Sequence, residues 1–216
     1  MKRVTTTSGL PAVKFLGILF DPELNFKLHI RSISTKISKA LFILRRVKNL
    51  LSEKSLKTLY YSLVHCHLIY GIHIWSSVTS SNFKDLVIKQ KQAIRTVTNS
   101  KYNLHTSPLL KKLEILPLES LITYFKIQFM SQYVQGFLPQ AFNSVWMKRE
   151  QGRAEEFTLN LRNSDDLYIP TALLAQTERH PLFLFPRLWS EFNNNDIKII
   201  RNSKELNSAQ KNTYLV

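Results

Sequence analysis

With 216 residues, 44% of them hydrophobic, the chain is long enough for one large domain or two small ones, and apolar enough to exclude disorder throughout. Its single cysteine, Cys66, excludes an internal disulfide and suits a reducing, intracellular compartment, cytoplasm or nucleus. The net charge of +15 is unevenly spread: residues 27–112 hold 16 Lys and Arg against two acids, Glu53 and Asp85, for +14. Residues 1–26 carry +1 and residues 113–216 carry zero. Such a block faces a polyanion, either nucleic acid or an anionic membrane surface, or is simply a solvated basic face. No apolar run is long enough to span a bilayer, and Lys2-Arg3 is not followed by the apolar stretch of a secretory signal.

In chain order, Val13 to Phe20 is apolar and β-prone, with Gly17 breaking it and Asp21-Pro22 supplying turn chemistry. This predicts two short strands or one bent strand. From Leu28 the period changes. Ile30, Ile33, Ile37, Leu41, Leu44, Val47 and Leu51 recur every three or four residues, the stripe of an amphipathic helix. Lys27, Arg31, Lys36, Lys39, Arg45, Arg46 and Lys48 fall largely off that stripe.

Ser52 suits the N-cap of a second helix, whose apolar face is Leu56, Leu59, Tyr60, Leu63, Val64, His67 and Leu68 and whose end lies near Tyr70-Gly71. After a serine-rich loop, a third helix turns Phe83, Leu86, Val87, Ala93, Ile94 and Val97 inward and Lys84, Lys89, Lys91 and Arg95 mostly outward. The fold class that follows is mainly α: a short N-terminal β-hairpin, a three-helix basic bundle, then a helical to irregular C-terminal region. In that last region, one or two turns over Leu109–Leu113 stop near Pro117, and Glu119–Gln135 reads as a helix. Beyond Pro139 no long periodic segment is evident, only polar turns and an aromatic cluster from Phe183 to Phe192.

Several motifs in this order are distinctive. Val13-Lys14-Phe15-Leu16-Gly17-Ile18-Leu19-Phe20-Asp21, continued by Leu24, Phe26 and His29-Ile30, is followed by Leu44-Arg45-Arg46, by Leu59-Tyr60-Tyr61-Ser62-Leu63-Val64, and by Ile69-Tyr70-Gly71 with Trp75. Gln90-Lys91-Gln92-Ala93-Ile94-Arg95, Leu161 to Pro170 and Pro186-Arg187-Leu188-Trp189 complete the set. Together they resemble the C-terminal part of the reverse transcriptases of non-LTR retrotransposons, the jockey-like group especially. The resemblance implies three segments: residues 1–26 as the end of a palm with its primer-grip hairpin, 27–100 as a thumb, and 101–216 as a C-terminal region. It further implies that this chain carries no catalytic residues, the Mg²⁺-binding carboxylates of the family's active site lying upstream, and that it binds no cofactor itself.

On that resemblance the expected partner is a template–primer duplex of RNA or DNA. Phe15, Leu16 and Gly17 are candidates for backbone contact with the primer, where glycine allows close approach. Lys36, Lys39, Arg45, Arg46, Lys48, Lys91 and Arg95 are candidates for the phosphates. The alternative reading is a non-enzymatic helical adaptor, derived from such an element, that binds nucleic acid or a protein. A membrane-surface role is disfavoured because the helices' apolar faces are needed for the core.

Other tempting sites are read as structural. Asp165-Asp166 would point to opposite faces of a strand and has no third acid nearby, so it is read as a turn or cap. His65, Cys66 and His67 lie too close together on one helix to share a metal ion, and nothing local would activate Cys66. Trp75, Trp146 and Trp189 are expected as buried anchors rather than stacking surfaces.

Overall fold

The computed structural model describes residues 12–77, 80–146, 167–168, 178 and 180–194. Strands β1 (Val13–Phe15) and β2 (Ile18–Phe20) pair antiparallel, with Val13 opposite Phe20 and Phe15 opposite Ile18. The expected hairpin is therefore present. Its two-residue turn, Leu16-Gly17, has φ of 45° and 81°. Positive φ at both central residues matches the twist of the flanking strands. Glycine adopts it freely; Leu16 does so at a cost and must be held in place.

The link to the first helix is organised by Asp21. Its carboxylate accepts hydrogen bonds from the backbone N–H of Asn25 (2.9 Å) and Phe26 (2.7 Å), while its carbonyl accepts from Leu24 N–H (3.0 Å). Helix α1 (Lys27–Val47) then buries His29, Ile30, Ile33, Ser34, Ile37, Ala40, Leu41 and Leu44. The predicted stripe stops there: Leu51 lies beyond the helix and is exposed, because the chain turns back at Val47, whose carbonyl bonds the N–H of Leu50 and Leu51.

Ser52 caps α2 (Glu53–Tyr60), its hydroxyl accepting from Ser55 N–H at 3.2 Å. The helix continues through a π-helical turn, Tyr61–His65, into α3 (Cys66–Ile69). The buried residues Leu56, Tyr60, Val64 and Leu68 are spaced four apart. A straight α-helix would rotate such a row by about 40° per step. The wider π turn takes up that drift and keeps the row on one core. Gly71, at φ 62°, ends the segment and leads into a short helix, α4 (Ile72–Trp75), that the sequence pattern did not announce.

Helix α5 (Ser80–Val97) runs alongside α1 in the same direction. Ser34 hydrogen-bonds Asp85, Lys89 Nζ reaches Ser34 O (3.2 Å) and Ser38 Oγ (2.6 Å), and Arg45 Nη2 approaches Gln92 Oε1 (3.5 Å). Lys89, expected mostly outward, is thus turned onto α1, since Asp85 one turn earlier and the two serines offer it acceptors. Gln90 is buried at the heart of the bundle. Its amide donates to Tyr60 Oη (3.1 Å) and Leu116 O (2.9 Å), and its carbonyl accepts from Leu118 N–H (2.8 Å). That one side chain fixes where α6 (Ser107–Leu113) gives way to α7 (Leu118–Val134).

The chain divides into two compact units, the first ending at Ile122 and the second beginning at Thr123, within α7. The hairpin and α1–α6 belong to the first. The second holds an aromatic core in which Met130, Trp146 and Phe185 are buried, with Phe129, Tyr133 and Phe142 against them. Phe185 and Phe192 lie on α8 (Pro181–Asn194), so the Phe183–Phe192 cluster is helical and not irregular. Pro186 inside that helix obscured its pattern in the sequence. Among the described residues no helix is long and apolar enough to cross a membrane.

Candidate nucleic-acid interface

The candidate site is the outer surface of the first unit, and its geometry starts at the hairpin turn. Tyr70 Oη donates to Leu16 O at 2.5 Å, and a Cβ on Gly17 would lie 3.4 Å from Tyr70 Cε1. On the other side, a Cβ on Gly71 would come within 2.5 Å of Ile18 Cδ1. Gly71 therefore lets the hairpin lie close against the end of α3, whereas Gly17 serves the positive φ of the turn. Ile18 is buried there, but Phe15 and Leu16 are 56% and 73% exposed. The hairpin is docked through one side and presents its turn outward.

Between that turn and α1 lies an open cleft of about 190 Å³ lined by Leu16, Gly17, His29, Ile33, Lys36, His67 and Tyr70. His29 Nδ1 accepts from Leu19 N–H at 3.4 Å, tying β2 to α1. Burial, and secondarily the Lys36 ammonium, hold both His29 and His67 below the usual imidazole pKa. Both shifts favour the neutral imidazole, and Lys36 is the lysine in the cleft lining.

Along α1 the other candidates separate by angle. Lys39 and Arg46 lie with Arg31 and Thr35 on the face opposite the buried stripe, all exposed. Arg45 sits at the edge nearest α5 through its contact with Gln92. Lys48 is half-buried just past the helix end. On α5, Lys91 is exposed, whereas Arg95 is engaged: its Nε donates to Leu104 O at 2.9 Å and its guanidinium lies 6.0 Å from the Tyr102 ring centroid. The two acids of this stretch are each taken by a lysine, Glu53 by Lys112 at 2.7 Å and Asp85 by Lys89 at 3.5 Å. Neither interrupts the line from Arg31 to Arg46.

The structure brings the turn residues and Lys36 together, and Arg45 to the flank of α5 at Gln92. It does not gather all ten candidates into one pocket; they are distributed over a surface. Sequence reasoning missed Phe42, which is 61% exposed on the outward line with the Arg46 guanidinium 5.2 Å from its ring centroid. Its place between Leu41 and Leu44, off the three-and-four spacing, was the available signal.

The remaining candidates have structural roles. His65 packs its ring against Tyr61 (5.0 Å), and Cys66 Sγ donates to Ser62 O. Trp75 and Trp146 are buried, as expected of anchors, and Trp189 is partly buried beside Phe192. Asp165-Asp166 and most of the Leu161–Pro170 motif lie outside the described residues. Among the described residues no group of His, Cys, Asp and Glu could hold a metal ion.

No protein-family model matches the chain, and no solved structure matches it. Two Drosophila melanogaster proteins do. It is 28% identical over 113 residues to the probable RNA-directed DNA polymerase from transposon BS, covering 51% of this chain and 12% of that protein. It is 29% identical over 109 residues to the probable RNA-directed DNA polymerase from transposon X-element, covering 48% and 12% respectively. The matched segments thus span about an eighth of the relatives' length. Over about half of its own length this chain is thus similar to transposon-encoded RNA-directed DNA polymerases, in line with the resemblance of its motifs.

Proposed function

We propose that this chain is the C-terminal part of a jockey-like non-LTR retrotransposon RNA-directed DNA polymerase, from the end of the palm through the thumb, and that its first unit holds the template–primer. The supporting observation is the exposed basic line of α1, from Arg31 to Arg46, beside a hairpin turn whose residues Phe15, Leu16 and Gly17 are exposed. Helical cations whose apolar stripe is consumed by the core can only serve outward. Phosphates are the ligand that many separated cations bind without a pocket. Lys36 and the Leu16-Gly17 backbone meet one strand, while Lys39, Arg45, Arg46 and Lys91 follow the backbone along the bundle.

On this reading the chain performs no chemistry alone. Nucleotide addition needs carboxylates that gather two metal ions at the 3′-hydroxyl, and those belong to the part of the polymerase before the hairpin. What the chain contributes is grip and position. The test is a salt titration of duplex binding by the full chain. Engaging roughly 4–6 phosphates predicts a slope of log K against log salt of about −4 to −5, with affinity in the non-specific range of about 10⁻⁴ to 10⁻⁶ M at physiological salt. A salt-independent affinity would favour the protein-adaptor reading instead.

A further inference from the structure

Resting on the phosphate-binding reading above, we propose that Phe42 and Tyr102 are stacking positions for unpaired bases, making the basic unit a binder of single-stranded as well as duplex nucleic acid. Neither ring has a structural task. Phe42 stands on the face of α1 opposite the buried stripe and Tyr102 follows α5; they are 61% and 85% exposed. Leaving an aromatic ring in water forgoes the stabilisation that its burial would contribute.

Each ring is paired with an arginine: Arg46 lies 5.2 Å from the Phe42 centroid and Arg95 lies 6.0 Å from that of Tyr102. A guanidinium against a ring restrains the aromatic and places a cation beside its face. The two pairs are connected. Arg45, one turn from Phe42, approaches Gln92, which is one turn before Arg95. Lys39 lies a turn behind Phe42 on the same face, so cations border the ring on both sides. Aromatic faces interleaved with Lys and Arg are what a single strand uses, with phosphates held by charge and bases held by stacking. Stacking is indifferent to sequence because every base has a π-face. A protein partner fits less well, because it would have to bring acids to match a stretch of +14.

The experiment compares an oligothymidylate, an abasic oligonucleotide of equal length and a duplex, each titrated by fluorescence anisotropy at several salt concentrations against the full chain. Phe42→Ala and Tyr102→Ala are each expected to weaken oligothymidylate binding about 5- to 100-fold while leaving the abasic strand, the duplex and all salt slopes unchanged. Circular dichroism checks the fold, and alanine at position 42 favours the helix. If the double variant binds oligothymidylate like the parent, or loses the abasic strand equally, the stacking inference falls and the phosphate reading stands. If no nucleic acid shows a salt-dependent affinity, the underlying reading falls with it.

Discussion

The two units solve the same packing problem with different side chains, and the choice decides what each can do. The first unit closes mainly on aliphatic rows, Ile30, Ile37 and Leu44 of α1 with Leu56, Leu68, Leu86 and Ile94, and buries Tyr60 and Trp75 besides. Each such residue contributes modestly, so long helices with continuous stripes are needed. Long amphipathic helices leave an equally long free face, and here that face carries Lys and Arg. The second unit closes on rings: Phe129 meets Phe142, Trp146 and Phe185 at centroid distances of 5.7–6.1 Å, and Tyr133 meets Trp146 at 4.9 Å. Aromatic side chains bury so much area each that a few, from α7, a 3₁₀ turn at Gln140–Phe142 and α8, suffice. Residues 123–214 carry 11 Lys and Arg against nine acids, a net charge of only +2. An aliphatic helical core provides a charged surface as its by-product; a compact aromatic one does not require it.

The sharpest way to break this contrast is to neutralise one side of it. Changing Lys36, Lys39, Arg45 and Arg46 together to Gln is expected to flatten the salt slope by about 3–4 units and to cost on the order of 10²–10³ in duplex affinity at 0.1 M salt. Arg187→Gln in the second unit, where that arginine pairs with Glu191 at 3.1 Å, is expected to change binding not at all. Equal losses in the two variants would mean that charge placement is not what distinguishes the units.

Next in size are the joints of the first unit. Gln90→Leu leaves Tyr60 Oη, Leu116 O and Leu118 N–H, all buried, without their partner, and is expected to destabilise by about 2–4 kcal/mol in chemical denaturation. Gly71→Ala forces a Cβ toward Ile18 at positive φ and should cost about 1–3 kcal/mol. Adding Ile18→Val, which removes the Cδ1 atom, should recover only the steric share. If Gly71→Ala is neutral, the hairpin is not seated against α3 as described.

The smallest effects separate the units by pH. In the first, burial holds His29, His65 and His67 below their ordinary value. The unfolded chain then binds more protons than the folded one, so stability is full above about pH 6.5 and is lost as pH falls from there through the folded values. In the second, burial lowers the Lys126 ammonium to about 8 from 10.5, beside the Phe185 ring at 5.9 Å. The sign is the same but the window differs: stability rises between pH 8 and 10.5, by on the order of 1–3 kcal/mol. Thermal denaturation of Lys126→Met should lose the alkaline rise, and His29→Gln should shrink the acid fall. A variant that flattened both windows would show that the units do not respond separately.

Local chemistry made much of this legible without a structure. Period, caps and turn residues act within a few positions of themselves, so the hairpin at Gly17, the α1 stripe to Leu44, the Ser52 cap, the stop at Gly71 and the start of α7 beside Pro117 could all be read. Charge is additive along the chain, which is why the basic block stood out, and the ordered motifs were enough to imply the relationship to transposon polymerases. Tertiary structure alone decided what depends on neighbours far apart in sequence. Lys89 turns inward because α1 brings Ser34 and Ser38 to it. Gln90 becomes a core residue because Leu116 and Leu118 return across 26 and 28 residues to use its amide. The π turn in Tyr61–His65 is set by the row it must keep buried. The aromatic core has no period because its rings come from α7, a short turn and a helix interrupted by Pro186. And which partner an arginine meets, the Phe42 ring for Arg46 or the Leu104 carbonyl and the Tyr102 ring for Arg95, depends on what the fold places beside it.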